Sequence, residues 1–375
     1  MRGMVLGLVL AAGAFAPAAA EQANSVLEHY RAYAAALERG DLAAAEREAA
    51  AAYGASEARD GDGGRTGVLA LNLALVRLNR DEAEAAAAPA RRANDIAQAR
   101  GAASGVDPLR ARLALWQGEM ALGLENAPAM LLAALQDAEA RTDLDDDAYP
   151  AAVRLAHKAL QLRQYDLARM AWSEAQRYAG GALGDVAFAR AQARIGEAAT
   201  MVLGSRREEV LAQSHAMLGD VLSALWPDVR RQMGEPTLTQ ADLLYAQALA
   251  WSALTRPRPR RGQSDESASE PADLVVPNEC KIHWQFPHLQ EAYRYYPQRA
   301  LIAGIGGVVI VRVLLGDDGR ITQTDVAAAA PEDLFDDAAK RFLADGVAQR
   351  ADDAREGCVM PHAVFITMPF MVTSG

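Results

Sequence analysis

Through roughly the first two thirds of the chain, apolar residues return at three- and four-residue steps, the period of an amphipathic helix. Val26, Tyr30, Tyr33, Ala34 and Leu37 set the first stripe, and Gly40 supplies a stop before a second helix over 42–53. Leu71, Leu75 and Leu78 lead into Asn79-Arg80-Asp81 and the small Ala85 and Ala86. Leu155, Ala159, Leu160 and Leu162 lead in the same way into Gln164-Tyr165-Asp166, followed by Ala168, Ala171 and Ala175. Between them, 109–122 and 130–138 make a further hairpin. Later helices are predicted over 186–203, 207–225 and 240–254, with Trp172, Trp226 and Trp251 as packing residues.

The last quarter changes character. Residues 308–315 are nearly all apolar, as expected of a strand covered on one face and partly sheltered on the other. In the turn Asp317-Asp318-Gly319 the glycine offers the positive φ of a tight reversal, and 320–327 return as the partner strand. Phe335, Ala338, Ala339, Phe342 and Gly346 share a helical face that can lie over the sheet. Fully buried, Phe342 would cost about 3–5 kcal/mol on truncation to alanine. A terminal strand over 364–370 carries Pro369, which cannot donate a ladder hydrogen bond and so fits a sheet edge or strand end. The predicted fold class is mostly α: a helical solenoid over 24–254, then a small α+β domain over 275–375 with an antiparallel sheet.

Two further segments complete the organisation. Arg2, the short apolar run 4–15 and Ala18-Ala19-Ala20 before Glu21 fit a cleaved signal peptide over 1–20, with an uncleaved anchor as the alternative. A periplasmic location is the expectation. The stretch 255–274 joins the basic Arg256-Pro257-Arg258-Pro259-Arg260-Arg261 to an acidic, serine-rich run and reads as a solvated linker.

The helix pairs resemble the tetratricopeptide unit, an antiparallel hairpin closed by Gly-Asp with small alanines where the helices approach. Leu37, Gly40-Asp41, Ala44, Ala45, Ala49 and Tyr53 carry that resemblance. The 40-residue step from Asp41 to Asp81 exceeds the usual period of about 34, which leaves a related helical repeat open. Hairpins of this kind bury their stripes only against one another and leave a curved surface for a protein partner.

The C-terminal segment resembles the C-terminal domain of the TonB energy-transducer family. The likeness runs through Tyr296-Pro297, Ala300, Gly304, Gly307, alternate valines 309, 311 and 313, Asp317-Asp318-Gly319, Ile321, Val326 and Leu334-Phe335-Asp336. It ends in the strand Val364-Phe365-Ile366-Thr367-Met368-Pro369-Phe370. Tyr296, Pro297, Gly307, Gly319 and Phe342 are its fold positions. The resemblance implies contact with an envelope protein or an outer-membrane receptor segment, with Phe365, Thr367, Phe370 and Val372 as candidate edge residues. The family's long proline-rich spacer and aromatic run after the helix are missing. A docking role is therefore expected ahead of direct energy transduction, which stays as the alternative in TonB-dependent transport.

Charge and reactive side chains narrow the chemistry. A formal charge of -11 opposes nonspecific nucleic-acid binding. The two cysteines, Cys280 and Cys358, would close a loop of about 79 residues as a structural disulfide. With His283, His288 and His362 they could instead supply zinc ligands, but their spacing lacks a tight cysteine pair, so no metal or cofactor is expected. The acidic runs 143–147 and 352–353 read as solvated turns. Neither His157 nor His215 has a nucleophile arrangement beside it, so a non-enzymatic protein is expected.

Overall fold

The computed structural model describes residues 17–181, 185–232, 237–255, 280, 282–286, 294–303, 305, 307–330, 333–344, 346–351 and 357–370. Most of the predicted leader and linker, and Val372, lie outside that set. The chain forms two compact units, 1–186 and 187–375.

The first unit contains α1 (Pro17–Glu38), α2 (Leu42–Asp60), α3 (Gly64–Asn79), α4 (Ala83–Arg100), α5 (Pro108–Ala121), α6 (Ala127–Asp137), α7 (Asp145–Gln161) and α8 (Tyr165–Arg177). Each helix packs on the next, and α3 also touches α5, which touches α7. The turns inside the four hairpins share one geometry. Gly40, Asp81, Gly123 and Arg163 each take a positive φ, between 58° and 82°. Their N–H groups donate to Leu37, Leu78, Met120 and Leu160, and the next residues donate to Ala36, Arg77, Glu119 and Ala159, at 2.8–3.2 Å. This is the Schellman closure, which satisfies carbonyls orphaned at a helix end. The four positions stand 41, 42 and 40 residues apart, so the repeat is longer than the usual tetratricopeptide period.

Small side chains let these helices approach. Ala70, Ala74, Ala86, Ala90, Ala93, Ala111 and Ala114 pack with Leu71, Leu78 and Leu115 in one core. Polar ties cross between hairpins. Arg110 Nε donates to Asp147 at 2.6 Å, and Arg154 donates to Gln117 at 2.9 Å and to Asp81 at 3.1 Å.

The second unit opens with α9 (Val186–Gly204), α10 (Glu208–Gln232) and α11 (Gln240–Thr255). Ile195, Leu218, Leu222, Leu225 and Tyr245 form their shared core, against which Trp226 and Trp251 pack. There follow β1 (Ile282–Gln285), α12 (Gln298–Ala303), β2 (Gly307–Leu315), β3 (Ile321–Ala330), α13 (Asp336–Leu343), β4 (Val347–Arg350) and β5 (Ala363–Phe370). An antiparallel sheet runs β3-β2-β5, and β1 pairs with β4 in a second antiparallel ladder. A bridge between Arg320 and Val347 links the two.

Candidate strand-docking surface

The central strand explains its own composition. Val309, Val311, Val313 and Leu315 belong to a core with Phe335, Ala339 and Leu343, whereas Val308 and Ile310 pack with Ala246, Ala250 and Ala327. Both faces of β2 are thus covered, by α13 on one side and α11 on the other. A near-continuous apolar run is what a strand buried on both faces requires. Shelter on the second face was expected from sequence, but α11 as its cover was not.

Two of the fold positions, Tyr296 and Gly307, lie against Phe335, which is fully buried. Its ring stacks on Phe370 with centroids 4.5 Å apart and meets the edge of Tyr296 at 5.5 Å. Tyr296 donates its hydroxyl to the carbonyl of Ile305 at 2.6 Å, and the carbonyl of Pro297 accepts from Leu301 N–H as α12 begins. Gly307 lies so close to this cluster that a Cβ there would stand 2.5 Å from the carbonyl oxygen of Ala330 and 2.6 Å from the Phe335 ring. Gly319 combines φ +76° with a would-be Cβ 2.1 Å from the Ala348 carbonyl oxygen, so no other residue fits the turn. Phe342 is half-buried rather than enclosed, packed on Phe286 and Tyr295 with centroids 5.0 and 5.8 Å away. Phe335 and Leu343 hold the enclosed places on that helix and its approach. Burial, with Asp333 nearby, raises the carboxyl pKa of Asp336 at the start of α13.

Cys280 and Cys358 form a disulfide with Cα atoms 4.9 Å apart, and Cys280 N–H donates to the Val359 carbonyl at 2.9 Å. Both thiols being consumed, they offer no thiolate to a metal. Among the described residues no group of three or more His, Cys, Asp or Glu is placed to hold a metal ion, and His288 lies outside them.

β5 pairs only with β2 among the described strands, so no described strand lies along its other edge. One hydrogen bond sets its parity. Leu315 N–H donates to His362 O at 2.8 Å, in register with the pairing of Leu314 and Ala363. Alternation along an antiparallel ladder then turns the backbone groups of Val364, Ile366, Met368 and Phe370 toward β2, and those of Ala363, Phe365, Thr367 and Pro369 outward. Pro369 therefore lacks its N–H on the side where no ladder partner is needed. Side chains separate the sequence candidates further. Phe365 is half-buried and its ring lies 5.5 Å from Tyr245, Phe370 completes the Phe335 cluster, and Thr367 is exposed.

Sequence reasoning missed Arg312, the one charged residue in the central strand. It is 1% exposed, and its Nη2 donates to Asp325 on β3 at 3.1 Å while its Nη1 reaches Asp242 on α11 at 3.4 Å and the Thr237 carbonyl at 3.2 Å. An arginine inside an otherwise unbroken apolar run was the available signal, because a charge there demands buried carboxylates.

Residues 292–350 match the family model of the Gram-negative bacterial TonB protein C-terminal. The matched stretch takes in α12, β2, β3, α13 and β4. No curated protein and no solved structure gives a significant match to the chain. Among the described residues no helix is long and apolar enough to cross a membrane.

Proposed function

We propose that this is a periplasmic envelope docking protein, non-enzymatic, whose tetratricopeptide-like hairpins hold one partner while the C-terminal sheet meets another polypeptide. The leader over 1–20 would deliver it there, and the partner class is an envelope protein or a segment of an outer-membrane receptor. The carrying observation is the outward-facing backbone of Phe365 and Thr367 on β5, in a domain whose core matches the TonB C-terminal family. Unpaired edge groups accept an extended segment as a further strand. The family match also supports the second reading, an accessory to TonB-dependent outer-membrane transport.

The test uses a photo-crosslinking residue at exposed Thr367 in intact envelopes, beside a Thr367→Pro variant crosslinked from a neighbouring exposed position. Proline removes an outward N–H and leaves the β2–β5 ladder intact. Crosslinks should be lost in the proline variant while its thermal unfolding stays close to the parent's. Undiminished crosslinking from a folded proline variant would overturn strand addition at β5. Deleting α1–α8 should remove a different set of adducts, and loss of the same set would end the proposed division of labour.

A further inference from the structure

We propose that α11 is a permanent layer of the C-terminal module, clamped through Arg312 and Asp242, so that this helix and the sheet open as one cooperative unit. The inference needs no docking partner and stands apart from the functional reading above.

The clamp begins with the cost of a buried charge. Arg312 projects from the middle of β2, and taking a guanidinium out of water is repaid only by well-placed acceptors. Asp242 supplies one of them and is itself 1% exposed. The same carboxylate also starts α11. Thr239 donates its N–H and its hydroxyl to Asp242 Oδ2, each at 2.9 Å, and Asp242 N–H donates back to Thr239 Oγ1 at 3.2 Å. That reciprocal arrangement is a capping box with Asp in the place of the usual Glu. One oxygen therefore terminates the helix and receives the charge of the central strand.

Lifting α11 away would leave Arg312 without its helix partner and would uncover Val308, Ile310 and Ala327. These are buried against Ala246 and Ala250. It would also part Phe365 from Tyr245, whose ring lies 5.6 Å from Trp226 on α10. The helix layer thus reaches back through α10 into the α9–α11 core. The matched stretch 292–350 falls short of this body at both ends, because it includes neither α11 nor β5.

Hydrogen exchange on the full-length protein tests the proposal. Asp242→Asn should speed exchange of α11, β2 and β5 together by at least about tenfold, with α1–α8 unchanged. The paired variant Asp242→Leu with Arg312→Met, which replaces the two ions by apolar groups of similar size, should restore the common protection of α11 and β2 beyond the first turn of α11, whose capping box is lost with Asp242. Exchange that rises in α11 alone, or in none of these elements, overturns the clamp. Should Asp242→Asn fail to fold, the unsubstituted protein in rising urea decides. Amides of α11 and β2 should converge on one opening free energy, and two separate openings would show α11 to be a peripheral helix.

Discussion

The two units solve the problem of burying surface in opposite ways. In the first, contacts run mainly between helices adjacent in sequence, and each hairpin is closed by the same backbone turn at nearly constant spacing. Its stability is expected to be distributed, a sum of hairpins and the interfaces between neighbours. In the second, the contacts that matter join distant residues: Cys280 to Cys358, Arg312 to Asp242, Tyr296 to Phe370. Each of these links joins segments that the chain brings together only on folding, so cutting one is expected to loosen the whole sheet and its helix layers. The difference can be put to the test because each unit carries its own tryptophans, Trp116 and Trp172 in the first, Trp226, Trp251 and Trp284 in the second.

Cutting the disulfide should produce the largest effect. The pair spans a sequence separation of 78, and on the chain-entropy account a loop of this size contributes about 4–5 kcal/mol. Replacing both cysteines by serine should lower the unfolding transition seen by Trp284 and leave that seen by Trp116 in place. A joint shift of both transitions would mean that the units do not unfold separately.

In the first unit Gly118→Ala is a sharp single perturbation at a helix–helix contact. A Cβ at Gly118 on α5 would lie 2.6 Å from the Ala87 Cα and 2.8 Å from its backbone nitrogen, so α4 and α5 would have to part. Overpacking of this kind costs about 1–3 kcal/mol. Local connectivity should confine the damage to neighbouring hairpins, with hydrogen exchange rising in α4 and α5 before α1 and α2. Uniform loss of protection across all eight helices would show the first unit to be as cooperative as a single core.

The same contrast decides what could be read in advance. Helices α9, α10 and α11 were legible because three- and four-residue periodicity is local, as were β2, the Gly319 turn and β3. The hairpin turns were half legible: Gly40-Asp41 stands out, but at the fourth turn the left-handed residue is Arg163, which no propensity would nominate. In the second unit the disulfide between the two cysteines was expected for an oxidising compartment, with zinc ligation weighed against it, and the pair is bonded. The cover of β2 by α11 did not, since alanines 246 and 250 look alike whether they face a helix or a sheet. Phe342 and Phe335 share a predicted face, and only the position of α12 and β5 encloses the latter.

The smallest prediction concerns the repeated turn itself. Arg163 occupies the left-handed position with φ 58° where Gly40 and Gly123 stand in the first and third hairpins, and its side chain is exposed. A non-glycine residue there carries a steric penalty of roughly 1–2 kcal/mol, part of which glycine returns as unfolded-chain entropy. Arg163→Gly should therefore stabilise the first unit by about 0.5–1 kcal/mol in denaturant unfolding followed by Trp172. Asp81 takes the same conformation but accepts a hydrogen bond from Arg154 at 3.1 Å, linking the second hairpin to the fourth. Asp81→Gly should accordingly gain less than Arg163→Gly, because relief of the turn is offset by loss of that tie. Equal gains at the two positions would assign the stability of these turns to the backbone alone, and a loss at Arg163 would mean that its side chain contributes more than the strain it brings.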